Sequence, residues 1–145
     1  MLVVLDSNVL VAALRSRRGA SFRVLELLRD GHFEIAVSVP LALEYEAVLI
    51  RHGLSGADAA TTVDFLCSVG HRQAIHYLWR PMLEDPRDEF VLELAVAAGC
   101  GAIVTHNRRD FVAARRFRRH VITPGRFLHL LETSCLSPHR NDRSR

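Results

Sequence analysis

A chain of 145 residues has room for one domain and little for a second, and a hydrophobic fraction of 49% can fill a core at that length. No stretch approaches the roughly 18 consecutive apolar residues of a membrane-spanning helix, and apolar Met1–Leu5 is interrupted at once by Asp6, so neither a membrane anchor nor a signal peptide is expected. The net charge of +3 is unevenly spread: residues 1–104 hold nine Arg against thirteen acids (−4), 105–132 seven Arg against two acids (+5), and 133–145 three Arg against one acid (+2). An acidic larger part beside a basic C-terminal quarter suits a polyanion held next to a carboxylate cluster. Every cation is Arg and none is Lys, and the guanidinium fork matches phosphate oxygens. Cys67, Cys100 and Cys135 form no CxxC pair and no disulfide framework, which fits incidental thiols in a reducing, cytoplasmic setting.

In chain order, Leu2–Leu5 is a wholly apolar run, as expected of a buried parallel strand. It ends in the polar group Asp6-Ser-Asn8. Val9–Leu14 follows as one or two helical turns, then the basic loop Arg15–Gly19. Ser21 is placed to cap a helix with Phe22, Leu25 and Leu28 at helical spacing, stopped by Gly31. Phe33–Val37 reads as the second strand. Pro40 opens a helix that continues over Leu41–Ile50 to the Gly53 stop, and Gly56–Val69 is the next. Gln73–Leu78 is expected as the third strand, followed by a turn-rich segment, Arg80–Arg87, with Pro81 and Pro86. A strongly apolar helix runs from about Asp88 to Ala98. Ala102–Thr105 and His120–Ile122 give the fourth and fifth strands, and Pro124 opens a last helix to about Leu131. Residues 1–132 thus make one domain, and 133–145 a polar tail expected to be disordered.

Strands alternating with helices imply an α/β domain on a mainly parallel sheet. Such sheets bind ligands beyond the carboxyl ends of their strands. Four acids fall there: Asp6 after the first strand, Glu44 one turn into the helix after the second, Asp88 at the start of the apolar helix, and Asp110 beyond the fourth strand. Each has a plainer use taken singly. Asp6 and Asp88 suit helix caps, Glu44 a solvated helix charge, Asp110 a turn. Together they define a convergent cluster, and convergent carboxylates repel unless a cation neutralises them. A hard divalent ion, Mg²⁺ or Mn²⁺, prefers oxygen ligands and activates water toward phosphorus. Asn8, Thr105 and Asn107 are placed to support it. Arg108, Arg109, Arg115, Arg116, Arg118 and Arg119 form a candidate substrate rim, with Arg15, Arg17 and Arg18 as a second. Phe111, Phe117 and Tyr45 are expected in the core, His106 at the surface, and Glu89 and Glu93 facing solvent or serving as caps. Glycine-rich phosphate loops, GxSxG elbows and HExxH zinc patterns are absent.

Leu5-Asp6-Ser-Asn8-Val-Leu10, Ser38-Val-Pro40-Leu-Ala-Leu-Glu44-Tyr45, Asp85-Pro-Arg-Asp88-Glu-Phe-Val-Leu-Glu-Leu-Ala95 and Val104-Thr105-His-Asn107-Arg-Arg-Asp110-Phe111 occur in this order. The series resembles the acidic motifs of the PIN-domain family, over roughly Leu2 to Leu131. It is most similar to the branch of toxin–antitoxin toxin components related to VapC-like toxins. The resemblance implies a three-layer α/β/α domain with a central five-stranded, mainly parallel sheet. It implies RNA cleavage at a metal site of Asp6, Glu44, Asp88 and Asp110, supported by Asn8, Thr105 and Asn107. An antitoxin partner and homodimers are also implied. Arg87 stands where this branch often carries another acid, which leaves Asp85 as either a further ligand or part of an Asp-Pro turn. The alternative is a catalytically silent RNA-binding or protein-interaction module on the same scaffold. A phosphatase or phosphoacceptor built on Asp6 is disfavoured, because Asn8 replaces the second aspartate and the chain has no lysine.

Overall fold

The computed structural model describes residues 1–75 and 86–136. Its elements are β1 (Leu2–Leu5), α1 (Ser7–Arg15), α2 (Ala20–Arg29), β2 (Glu34–Val37), α3 (Val39–Arg51), α4 (Gly56–Val69), β3 (His71–Arg72), α5 (Pro86–Ala97), β4 (Ala102–Val104), a kinked 3-10 segment (Arg108–Phe117), β5 (His120–Ile122) and α6 (Pro124–Leu136).

The five strands form one sheet in the order β3-β2-β1-β4-β5, and every pair is parallel. Apolar β1 takes the centre, with Val3 opposite Ile35 on one side and Ala102 on the other. Val3, Val4, Ile35, Ile103 and Val104 are fully buried, as strands covered on both faces must be. From β1 the chain winds outward through β2 to β3, then crosses back to place β4 on the other side of β1. The winding therefore reverses at the carboxyl ends of β1 and β4, where parallel sheets leave a crevice.

Helices α1, α2 and α6 pack together in one layer and α3, α4 and α5 in the other, giving the expected three-layer α/β/α arrangement. The rings of Phe33 and Phe127 meet edge to face at 4.8 Å, joining α6 to the start of β2. Ser38 caps α3 by accepting from the Leu41 amide at 3.3 Å, and Ser55 caps α4 through the Asp58 amide at 3.1 Å. Gly99, at φ +67°, ends α5 with a pair of reversed amide bonds, Gly99 to Val96 and Cys100 to Ala95. Among the described residues no helix is long and apolar enough to cross a membrane.

The third strand differs from expectation. It is His71–Arg72, and Gln73–Ile75 form no strand; the rest of the expected segment lies outside the described residues, as do most of the Arg80–Arg87 turn and Asp85. The cause is the tight junction at Gly70, which ends α4 directly against β2. A β-carbon there would come within 2.8 Å of both the Leu66 carbonyl oxygen and Val37 Cγ2. This close approach delivers the chain to the sheet at once, so pairing begins with His71 opposite Ala36. Both residues of this edge strand are exposed, so no apolar pattern marked it. Gly70→Ala is expected to cost about 1–3 kcal/mol through forced overpacking, lowering the thermal midpoint by several degrees in a circular-dichroism melt. An unchanged midpoint would show that the junction is slack.

Three further differences concern helices. Helix α2 begins after Gly19 rather than at Ser21, which is buried inside the first turn. Helix α6 continues past Leu131 to Leu136; residues 137–145 lie outside the described residues. Glu89 and Glu93 do not face solvent: they are 7% and 5% exposed. Helix α5 packs against β1, β4, α3 and the 3-10 segment together, which encloses nearly all its sides.

Candidate active site

Asp6 sits where β1 passes into α1. It occupies the N-cap position, yet its side chain makes no capping hydrogen bond. The Thr105 hydroxyl donates to Asp6 Oδ2 at 2.7 Å instead. That hydroxyl in turn accepts from Asn8 Nδ2 at 3.2 Å and from the Asn107 amide at 3.0 Å. One hydroxyl proton and two lone pairs are all in use, so the fully buried Thr105 has a single orientation. The His106 amide donates to Asn8 Oδ1 at 3.2 Å, closing the network between the carboxyl ends of β1 and β4. Beneath it, the buried Tyr45 hydroxyl donates to the Leu5 carbonyl and fixes the strand end that carries Asp6.

The other three acids face the same place. A cleft of about 290 Å³ is lined by Asp6, Asn8, Glu44, Asp88, Asn107 and Asp110, with Leu41, Val48 and Val91 as apolar walls. Leu41, Glu44, Val48 and His52 recur at helical spacing on one face of α3, so the helix that buries its apolar residues also aims Glu44 inward. Asp88 enters from the first turn of α5 and Asp110 from the 3-10 segment. All four acids therefore border one cleft, although 104 positions separate the first from the last.

Electrostatics at Asp6 follow from this enclosure. The residue is 5% exposed, and burial pushes its carboxyl above the ordinary value of 3.8. The Thr105 hydroxyl and the Ser7 amide oppose the rise; the negative charges of Asp110 and Glu44 add to it. Tyr45 is driven well above its ordinary value, first by burial and then by the charge on Asp6. The metal-free cleft thus carries an excess of negative charge that a cation relieves. Among the described residues no three Asp, Glu, His or Cys side chains stand close enough to grip one ion directly. Mg²⁺ does not require that, since it keeps several waters and binds through one or two carboxylates. The donor set, four carboxylates and two amide side chains, matches a hard ion.

Two cationic regions flank the cleft. At one end Arg15 Nη2 donates to His52 Nδ1 at 3.2 Å. On the other side a larger cleft of about 930 Å³ is lined by His106, Arg108, Arg109, Arg115, Arg119 and His120, and it meets the acidic cleft at Asn107 and Asp110. Arg116 is exposed and lines neither cleft; Arg17 and Arg18 are likewise exposed and outside both. His52 and His120 were missed by sequence reasoning, which had placed Arg119 in the rim. His52 is legible afterwards as the next residue of the α3 face, eight positions beyond Glu44. His106 also has a defined place: its Nε2 lies 2.8 Å from the hydroxyl of buried Ser21, tying the loop after β4 to α2. Phe111 and Tyr45 are buried as expected, and Phe117 is half-buried against the core.

Fold and cleft together define a class, a parallel α/β domain with an acidic pocket at the crevice of its sheet. A profile of the PIN domain matches residues 2–109, and the chain belongs to the PIN-domain family, whose members are generally nucleases. Among solved structures it is similar to VapBC2 from Rickettsia felis, seen in a crystal structure bound to a DNA fragment from their promoter. The two share 17% identity at a TM-score of 0.58, over 85% of this chain and 98% of that one. That likeness is one of fold. No curated protein matches the chain.

Proposed function

We propose that this chain is a metal-dependent ribonuclease, the toxin of a toxin–antitoxin pair, acting in the cytoplasm. The observation that carries the reading is the meeting of Asp6, Glu44, Asp88 and Asp110 in one cleft, with Asp6 buried and held by Thr105. Those four carboxylates would hold Mg²⁺ or Mn²⁺. The bound ion supplies charge neutralisation at a phosphate oxygen and a more acidic water for in-line attack.

The chain's own groups do the rest. Thr105 holds the Asp6 carboxylate at the cleft, and the side chain makes no capping hydrogen bond to α1. Asn8 and Asn107 hold the two strand ends in register through the same hydroxyl. Leu41, Val48 and Val91 keep one wall dry, which strengthens charge interactions across the cleft. Arg108, Arg109 and Arg115 offer cations for flanking phosphates. Arg116 serves at most the outer approach of a long RNA.

The partner side of the reading draws on family membership and on the likeness to the VapBC2 assembly. An apolar stripe on α3 also favours protein contacts, either with an antitoxin or in a homodimer. Val39 is 73% exposed, Leu43 63% and Ile50 45%, all on one helix. The test of the function is direct. Purified chain freed of any partner is incubated with a broad RNA panel in Mg²⁺ or Mn²⁺, and again in EDTA. Cleavage with metal and none in EDTA is the expected result. RNA binding without cleavage under every metal condition would replace the enzyme by a silent binding module.

A further inference from the structure

The larger cleft has a construction of its own. Four guanidinium groups, those of Arg108, Arg109, Arg115 and Arg119, border it, and Asp110 is the one acid in its lining. Among the described residues none of the four has an ion-pair or side-chain hydrogen-bond partner. Arginines elsewhere on the surface are satisfied where acids are near, as Arg23 is by Glu26 at 3.2 Å and Arg29 by Asp30 at 3.3 Å. Arg119 is the most constrained of the group. It is half-buried, and its Nε is enclosed with no hydrogen-bond partner among the described residues. A buried donor left empty is costly in a folded protein and calls for an acceptor.

The backbone is bent to put it there. Arg118 adopts a left-handed conformation, φ 55° and ψ 36°, the one non-glycine residue with positive φ among those described. Its amide bonds to the Arg115 carbonyl at 3.1 Å, and the Arg119 amide bonds to the Ala114 carbonyl at 3.3 Å. This is the turn that glycine normally makes at a helix end. Strain of this kind persists where surrounding structure enforces it, and it concentrates at ligand sites. Arg118 points to solvent while Arg119 lines the cleft with His120 beside it.

We propose that Arg119, with Arg115 and His120, forms a phosphate subsite that holds a nucleotide phosphate neighbouring the one at the acidic cleft. The two clefts share Asn107 and Asp110, so a single strand lying across the acids continues into the basic cleft without leaving the surface. Arg15, which bonds to His52, also lines the acidic cleft and offers the strand a further cation. Single-stranded nucleic acid fits this track because its phosphates repeat along one backbone, so that one can lie in the basic cleft while its neighbour lies at the adjoining acidic cleft. The proposal rests on the ribonuclease reading only for the identity of the strand.

The experiment is metal-free binding of a short fluorescein-labelled single-stranded RNA in EDTA, read by anisotropy across a salt series, so that no cleavage is needed. Arg119→Gln is expected to weaken binding about 10-fold at low salt and to reduce the slope of log affinity against log salt by about 0.7, one phosphate contact. Arg115→Gln, at an exposed position, is expected to act in the same direction and carries the test if Arg119→Gln fails to fold. Arg29→Gln, on α2, should leave both readings unchanged. Unaltered affinity and slope in folded Arg119→Gln and Arg115→Gln would overturn the subsite. So would a loss of binding to polyglutamate with RNA binding intact, which would assign the cleft to an acidic protein partner. If wild-type chain binds RNA through Arg119 yet never cleaves it with metal, the subsite stands and the nuclease reading falls.

Discussion

Asp6→Asn is expected to reduce RNA cleavage by about 10³-fold or more while making the metal-free chain more stable. The activity loss follows from position: Asp6 is the buried member of the four acids, and removing a single electrostatic group aimed at reacting charge costs about 10²–10³ on its own. The gain in stability follows from sign. Burial, with Asp110 and Glu44, raises the native carboxyl above its ordinary 3.8, so an unfolded chain gives up that proton more readily than the folded one. Below 3.8 both states hold the proton and there is no penalty. As pH rises through the raised native value the penalty becomes complete, and metal-free stability declines across that window. Asparagine never ionises and can still accept the Thr105 hydrogen bond. Urea unfolding of both proteins in EDTA, at pH 4 and at pH 7, measures this. The variant should gain on wild type only at the higher pH. A variant less stable at both would mean that Asp6 is a structural cap.

The second large effect is stabilisation by the ion itself. Ligand that binds only the folded chain at about 100 times its dissociation constant contributes about 2.7 kcal/mol, which for a domain of this size raises the thermal midpoint by roughly 5–10 °C. Mg²⁺ and Mn²⁺ should do so in the wild type. Asp6→Asn, Glu44→Gln and Asp88→Asn should each lose most of the shift. The shift should shrink as pH falls through the raised native value of Asp6, because protons then compete for the carboxylate. An equal shift in wild type and all three variants would place the ion elsewhere on the protein.

Much of this molecule was legible because its strands are short, apolar and wholly buried. Leu2–Leu5 and Ala102–Val104 announce the centre of a parallel sheet, and that topology alone directs attention to Asp6 and to the residues after Val104. Glu44 could be read because the apolar face of α3 predicts which way it points. The failures have one physical origin: they sit where tertiary contact, not local pattern, decides. His71–Arg72 pairs because Gly70 lets α4 touch β2, and nothing in two polar residues signals that. Glu89 and Glu93 are charged residues on a helix enclosed from several directions, a circumstance that periodicity does not register. Arg119 could be read only as one of six arginines in a common rim, because a backbone turn at Arg118, rather than composition, leaves Arg118 exposed and brings Arg119 to the cleft. Arg116, read as part of the same rim, is exposed and lines neither cleft.

The most direct measurement is anomalous diffraction from a crystal soaked in Mn²⁺ at a pH above the native carboxyl value of Asp6. The expected result is a peak in the cleft bordered by Glu44, Asp88 and Asp110, within about 2.2 Å of an Asp6 carboxylate oxygen. A saturated soak with no peak there, or with its only peak on another surface, would contradict the claim that these carboxylates are gathered to hold a metal.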